Sequence, residues 1–383
     1  MNPFIFNSQV TQLFIATSVS LVIYYNGIRR RHRLTRSGIL QPERSPWRHL
    51  YENGDEASFL NLTGFNRVAF NELHEYMHRD NELPRTGRPR LLNTEDELGV
   101  ILFYLGSSMT ISHLCLIFGC TPSRFSDIIN NQLHSFSRRL KNHPKARIHW
   151  PSTLREKEYL ADLVHRREPN VLDVIGFTDG LSLPIQCVSD PISQATNYNG
   201  YHHDTMINNV FCFSPTGKII FACINFPGSW HDSQVSLSLI SKVVRNIGDF
   251  KICVDQGFPR SGDLLNKFLG PLSRRAQRNL PVETRRAALR RHNTYVSLRQ
   301  SSEWGMRALQ GTFVRMKSRL TSNKRKRRQI LTVIILLHNF RTHVVGLNQI
   351  ATVFNVEYES YLNIRNYDRI AQYYENVEDS DED

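Results

Sequence analysis

Four acidic residues of this 383-residue chain, Asp179, Asp232, Asp255 and Glu303, have types and positions that could do chemistry together. Asp179 closes the β-branched apolar run Val171 to Thr178, which reads as a strand. Asp255 closes a second strand, Phe250 to Val254, and Glu303 lies beside Met306 on a helical stretch. Taken singly, each has an ordinary explanation. Asp179-Gly180 reads as a hairpin turn leading into Leu183 to Val188, Asp255-Gln256-Gly257 could be another turn, and a lone helical Glu is commonly solvated. Together they change meaning. Carboxylates at the carboxyl ends of strands, joined by one from a flanking helix, make the open, oxygen-rich site that Mg²⁺ prefers. A pair of such ions ~4 Å apart serves the attack of a water or hydroxyl on a phosphodiester.

Other polar clusters rank below these. Asp232 stands in Pro227-Gly228-Ser229-Trp230-His231-Asp232-Ser233, where an Asp before an apolar-periodic run also reads as a helix N-cap. His231 could touch metal or phosphate, but a lone His more often packs or hydrogen-bonds. His202-His203-Asp204 lacks the Cys or HExxH frame of a zinc site.

The charge balance says what such a site would be fed. Lys+Arg number 48 against 35 Asp+Glu, a net +13. Ten of the 48 are Lys, leaving 38 Arg, the side chain that grips phosphate in a bidentate fork. Arg274, Arg275, Arg278, Arg285, Arg286, Arg290 and Arg291 fall between Asp255 and Glu303, and read as a phosphate-tracking surface that positions DNA without reading its sequence. Lys324-Arg325-Lys326-Arg327-Arg328 reads as a solvated loop or a nuclear-import tract. No aromatic-interleaved basic motif of the RNA-binding kind is present. With 40% hydrophobic and 22% charged residues, the chain is excluded from the disordered, collagen-like and polytopic membrane classes. Six scattered cysteines without a CxxC pair read as free thiols.

The elements that would carry these residues follow from periodicity. Residues 1–45 hold an apolar stretch, Phe4 to Tyr25, with the basic run Arg29 to Arg33 behind it. Its length suits a bilayer, but Asn7, Gln9, Gln12 and Ser20 are among the polar residues that dilute it, which favours a packed helix over an anchor. Residues 46–150 read as all-helical, broken by the basic linker Pro84 to Pro89. Within them, helices at Glu95–Leu105, Ile111–Phe118 and from Thr121-Pro122 to about Leu140 resemble a helix-turn-helix region, about 94–140, an ordinary bundle being the other reading. The second helix of that motif carries Ser123, Arg124, Asn130, Asn131 and Arg138. From 151 to 345 the pattern is α/β. It has strands near Met206–Phe213 and Lys218–Asn225, a helix at Asp232–Arg245, an amphipathic helix from about Thr294 to Leu320, and a buried helix at Ile330–Val345. Residues 346–383 end in an acidic tail, Glu378 to Asp383.

Four blocks in fixed order carry a family resemblance. Gly176-Phe177-Thr178-Asp179-Gly180, Pro227 to Ser233, Cys253-Val254-Asp255-Gln256-Gly257-Phe258 and Ser302-Glu303-Trp304-Gly305 resemble the Harbinger/PIF superfamily of DDE transposases and the nucleases derived from them, over roughly residues 45 to 365. The 47 residues between Asp255 and Glu303 match that family's usual separation. The resemblance implies an RNase H-like mixed sheet flanked by helices, preceded by an all-α helix-turn-helix region. It implies that Asp179, Asp255 and Glu303 are the catalytic, metal-binding triad, with Asp232 an additional metal-site acid and Mg²⁺ or Mn²⁺ the cofactor. It further implies action on terminal inverted repeats, insertion at short A/T-rich targets, a Myb-like companion protein and a nuclear location, a cytoplasmic pool and a homo-oligomer being compatible with it. The chain departs from the family where Asp255-Gln256-Gly257-Phe258 replaces Asp-Ser-Gly-Tyr, and where Gly200 or Tyr201 replaces a frequently basic position. The expected function is DNA cleavage, with strand joining as an extension. The alternative is a domesticated DNA-binding protein that no longer cuts.

Overall fold

The computed structural model describes residues 3–31, 34–79 and 91–354. The linker Pro84–Pro89 and the acidic tail lie outside the described residues. The first helix, α1 (Pro3–Arg31), forms where the apolar stretch was expected, but its side chains from Val10 to Tyr25 are almost wholly exposed instead of packed. Among the described residues no helix is long and apolar enough to cross a membrane.

Six helices build the N-terminal layer: α2 (Pro46–Asn53), α3 (Glu56–Thr63), α4 (Arg67–His78), α5 (Thr94–Gly106), α6 (Ile111–Phe118) and α7 (Pro122–Arg139). Local chemistry sets their ends. Asn93 caps α5 in a capping box with Asp96, and Gly119 ends α6 in the left-handed conformation that a side chain resists. Trp47 organises this layer. It is buried against Phe59, Phe70, Phe103 and Phe118, donates Nε1–H to Asp96 at 2.8 Å, and lies so close to Gly99 that a Cβ there would sit 2.4 Å from its ring. Arg48 grips the same Asp96 through both carboxylate oxygens at 2.8 Å, so the buried charge is paired as well as hydrogen-bonded. On α7, Phe125, Ile128, Ile129, Leu133 and Phe136 face the core, while Ser123, Asp127, Asn130, Asn131, His134 and Arg138 are exposed.

After α8 (Leu154–Arg167) the chain builds a six-stranded mixed sheet from β1 (Val174–Pro184), β2 (Tyr198–Asn199), β3 (Asp204–Phe213), β4 (Ile219–Pro227), β5 (Lys251–Val254) and β6 (Phe268–Leu269). The short helix α9 (Pro191–Asn197) lies between β1 and β2, and α10 (Asp232–Val235) and α11 (Leu237–Asn246) connect β4 to β5. Strands β1, β3 and β4 pair antiparallel, β5 joins β1 in parallel and β6 follows β5, which is an RNase H-like arrangement. The remaining helices are α12 (Arg274–Arg278), α13 (Val282–Thr312), α14 (Lys324–Val344) and α15 (Gln349–Val353).

Three sequence expectations change here. Asp179-Gly180 is not a turn: β1 runs straight through both residues, with Asp179 opposite Phe211 of β3. The tertiary ladder overrides the local turn preference. The long helix starts at Val282 and ends at Thr312, followed by a 3₁₀ turn at Val314–Lys317, yet Leu298, Met306, Leu309, Phe313, Met316 and Leu320 are all buried as expected. The tract Lys324–Arg328 is not a loop but the opening of α14. Arg327 is buried in it, donating to Asn225 Oδ1 and to the carbonyls of Thr321 and Ser322.

Helix α14 joins the two layers, packing on α7 and on β4, and the buried core runs without interruption from Trp47 to Phe354. His338 sits fully buried on this helix against Phe213 and meets the Gly217 carbonyl at 3.2 Å. Burial pulls its pKa from 6.5 down to about 4, so the fold prefers the neutral ring. The unfolded chain takes up this proton first as pH falls. The contribution is therefore complete above pH 6.5 and is lost towards about 4, by on the order of 3 kcal/mol. Urea denaturation at stepped pH should show stability falling across that window, with a shallower slope in His338→Gln; an unchanged slope would exclude His338 as the source.

Candidate active site

The parallel pairing of β1 with β5 brings the first two carboxylates together. Thr178 is in register with Val254, so the next residues, Asp179 and Asp255, lie side by side. The strands dictate this because Val174, Ile175, Phe177, Ile252, Cys253 and Val254 are all buried apolar residues and a slip in register would expose them.

Glu303 arrives from above the sheet. Helix α13 turns Leu298, Ser301, Ser302, Gly305, Met306 and Leu309 inward at steps of three and four, and Glu303 stands at the edge of that stripe. The small members let the helix approach closely: a Cβ on Gly305 would lie 2.8 Å from the Phe213 ring. One turn before Glu303, Arg299 reaches all three acids. Its Nη2 is 2.7 Å from Glu303 Oε1, Nη1 3.8 Å from Asp179 Oδ2 and Nε 3.8 Å from Asp255 Oδ1. Sequence reading missed Arg299, although the i, i+4 spacing to Glu303 was visible.

Asp232 joins from the β4–β5 connection. It is the first residue of α10, with His231 as the N-cap, so its carboxylate is not used as the cap. The Asp232 carboxylate lies against the backbone of Gly180: a Cβ there would meet its oxygens at 2.4 and 2.6 Å, and one on Gly257 would lie 3.6 Å from Oδ2. Glycine at 180 therefore serves close approach, not a turn. Buried Asn208 of β3 fixes the loop leading to Asp232, its Nδ2 donating to the carbonyls of Gly228 at 3.2 Å and Trp230 at 2.6 Å while its Oδ1 accepts from Ser182. Asn209 ties the Leu181 carbonyl of β1 to the backbone N–H of Asn225 in β4. Nothing in the sequence distinguished these asparagines from ordinary polar strand residues.

The electrostatics reflect crowding of like charge. Burial pushes Asp179 up to about 6. The N–H of Gly180 opposes that rise, the Asp255 charge adds to it, Arg299 counters and Asp232 adds again. Asp232 is raised by burial and then by Asp255, with His231 opposing. Among the described residues no three His, Cys, Asp or Glu side chains stand close enough to hold one ion. Instead the triad is spread around the Arg299 guanidinium. The donor set is nevertheless all carboxylate oxygen with excess negative charge, which suits Mg²⁺ or Mn²⁺ and not a thiophilic metal. The His202-His203-Asp204 cluster is no rival, because Arg319 holds both Asp204 oxygens at 2.9 Å.

Beyond the site, α13 continues towards its N-terminus as a basic ridge. Arg285, Arg286, Arg290 and Arg291 are exposed there, as are Arg275 and Arg278 on α12. Arg291 precedes Glu303 by twelve positions, roughly 18 Å along the helix axis.

The Gly180–Asp232 contact can be checked by a double-mutant cycle. Gly180→Ala should destabilise the fold by about 1–3 kcal/mol in chemical denaturation, and by clearly less in an Asp232→Ala background. Equal costs in both backgrounds would mean that the carboxylate does not occupy that position.

No curated protein and no solved structure matches the chain. A family model does: residues 178–339, a span that takes in Asp179, Asp232, Asp255, Arg299 and Glu303, match the family described as DDE superfamily endonuclease.

Proposed function

We propose that this chain is a metal-dependent DNA endonuclease of the transposase type, with Asp179, Asp255 and Glu303 as the catalytic carboxylates and Asp232 assisting. The observation that carries the reading is the convergence of these four acids, from two parallel strands and two helices, inside the span that matches a DDE superfamily endonuclease. The four side chains would hold Mg²⁺ or Mn²⁺, which when bound supplies Lewis acidity at the scissile phosphodiester. The chain's own groups do the rest. Asp179 and Asp255 fix the depth of the site, Glu303 closes it from α13, and Arg299 holds the three apart yet compensated. The arginines of α12 and α13 grip the DNA backbone, while the exposed face of α7 faces its grooves. Water would be the attacking group in cleavage and a 3′-hydroxyl in strand joining.

On this reading residues 46–150 form the DNA-binding part, 151–345 the catalytic part, and 1–45 and 346–383 extensions. The substrate is DNA bearing terminal inverted repeats and the target a short A/T-rich site, reached in the nucleus with a Myb-like companion protein. A second reading, a domesticated DNA-binding protein that no longer cuts, draws on one observation: the Arg299 guanidinium stands between the carboxylates.

Cleavage of labelled duplex DNA with Mg²⁺ or Mn²⁺ separates the two. Asp179→Asn and Glu303→Gln should each lower the rate by about a hundredfold or more while leaving DNA affinity roughly unchanged. Cutting that survives both substitutions would overturn the residue assignment. Folded protein that binds DNA but cuts nothing, with or without a Myb-like partner, would establish the binder. Arg299→Gln gives an independent readout. In EDTA it should cost about 1–2 kcal/mol of stability, since three part-exposed carboxylates lose their counter-charge, and added Mn²⁺ should raise Tm more than in the parent. Equal Tm gains would show that Arg299 and the cation do not share that space.

A further inference from the structure

A pocket of mixed polar and apolar lining lies away from Asp179, Asp232, Asp255 and Glu303, where the β3–β4 turn meets α14 and the segment after α7. It is a cleft of ≈ 210 Å³ with Leu160 and Ile220 among its apolar walls and Arg147, Glu156, Thr216 and Lys218 among its polar ones. That is below the ~300–1,000 Å³ typical of drug-sized ligands and ample for a single phosphate group.

Its walls are held in place. Gly217 turns at φ +77° with the Asn348 side chain packed against its Cα, and its carbonyl accepts from Asn348 Nδ2 at 3.2 Å. Asn339 clamps Ile219 at both ends, accepting from its N–H at 2.7 Å and donating to its carbonyl at 2.9 Å.

Its charge is not balanced. Lys218 is part-buried, and its ammonium donates to His343 Nδ1 at 2.9 Å, a neutral partner because burial, with Lys218 next, brings that imidazole down to about 4. Among the described residues no carboxylate lies within 4.0 Å of Lys218 or of the Arg147 guanidinium. The nearby acids are already used. Glu156 accepts from Ser152 and Thr153 N–H groups and meets His149 at 2.9 Å, and Glu72 holds Lys145 at 2.7 Å. Burial lowers the Lys218 pKa, the expected result for an ammonium taken from water without a counter-ion. A rigid cleft with two cations against one carboxylate, already engaged by His149 and two backbone N–H groups, keeps a net positive charge that suits a tetrahedral oxyanion.

We propose that this cleft is a phosphate-binding site, separate from the carboxylate site, in which Lys218 and Arg147 neutralise the anion. The phosphate is carried either by a small soluble anion or by a nucleic-acid backbone, and the chemistry of recognition is the same.

The test is calorimetric titration of the full chain with inorganic phosphate, in EDTA and at ionic strength matched with chloride, alongside Lys218→Met and Arg147→Gln. Saturable phosphate binding should weaken about tenfold or more in Lys218→Met and severalfold in Arg147→Gln. Arg147 is exposed, so its variant tests the site even if Lys218→Met does not fold. Duplex DNA binding by the same variants identifies the source: a parallel loss assigns the phosphate to the DNA backbone, and unchanged DNA affinity assigns it to a free anion. Absence of saturable phosphate binding by the parent protein, or binding that is the same in parent and variants, overturns the proposal.

Discussion

The strongest constraint on this molecule is the repulsion among carboxylates that the sheet forces together. The register that buries Val174 to Phe177 beside Ile252 to Val254 leaves no choice about Asp179 and Asp255, which must be neighbours. Asp232 is then pressed against Gly180, and the cost is visible in Asp179, whose pKa rises to about 6 by burial and like charge. Arg299 answers that cost from within the chain. Because it lies one helical turn from Glu303, the same packing of α13 on the sheet that delivers the last acid also delivers the compensating cation. A site built this way concentrates like charge in a partly buried place, with Arg299 as its counter-charge.

The scaffold serves this arrangement at two distances. Close to the acids, Asn208 and Asn209 pin three strands and the loop before Asp232 through side-chain hydrogen bonds to backbone groups, which gives rigidity without adding charge. Further out, α14 presents one side to β4 and another to α7, so the helical layer and the sheet share a single buried core. Motion of the helical layer relative to the acids is thereby limited by apolar packing, while the exposed face of α7 and the arginines of α13 remain available to a polyanion.

Much of the fold was legible because local signals and tertiary packing agree. The three helices at 94–139 begin and end where Asn93, Gly119 and Pro122 say they should, since capping and turn chemistry act within a few residues. The buried stripe from Leu298 to Leu320 was likewise readable from its spacing. Expectations failed where the two disagreed. Asp179-Gly180 has the composition of a hairpin turn but sits between two strands that continue the ladder past it. The basic tract at 324–328 looked solvated, yet Arg327 fills a buried position by hydrogen-bonding Asn225, a partner about a hundred residues away. The apolar residues of α1 promised packing that their surroundings do not provide.

The sequence by itself determined which residue types were available: four acids in a fixed order, an arginine-rich stretch before the last of them, and alternating patterns that require an α/β layer. Those properties are local, because periodicity, caps and charge are written in neighbouring residues. Only the tertiary structure decided that the acids converge, that Gly180 makes room for Asp232, that Arg299 stands among the carboxylates, and that Lys218 is part-buried with His343 as its partner. Each of these depends on pairings between elements far apart in the chain. Strand register and helix approach are set by the packing of the whole core, and no window of residues contains it.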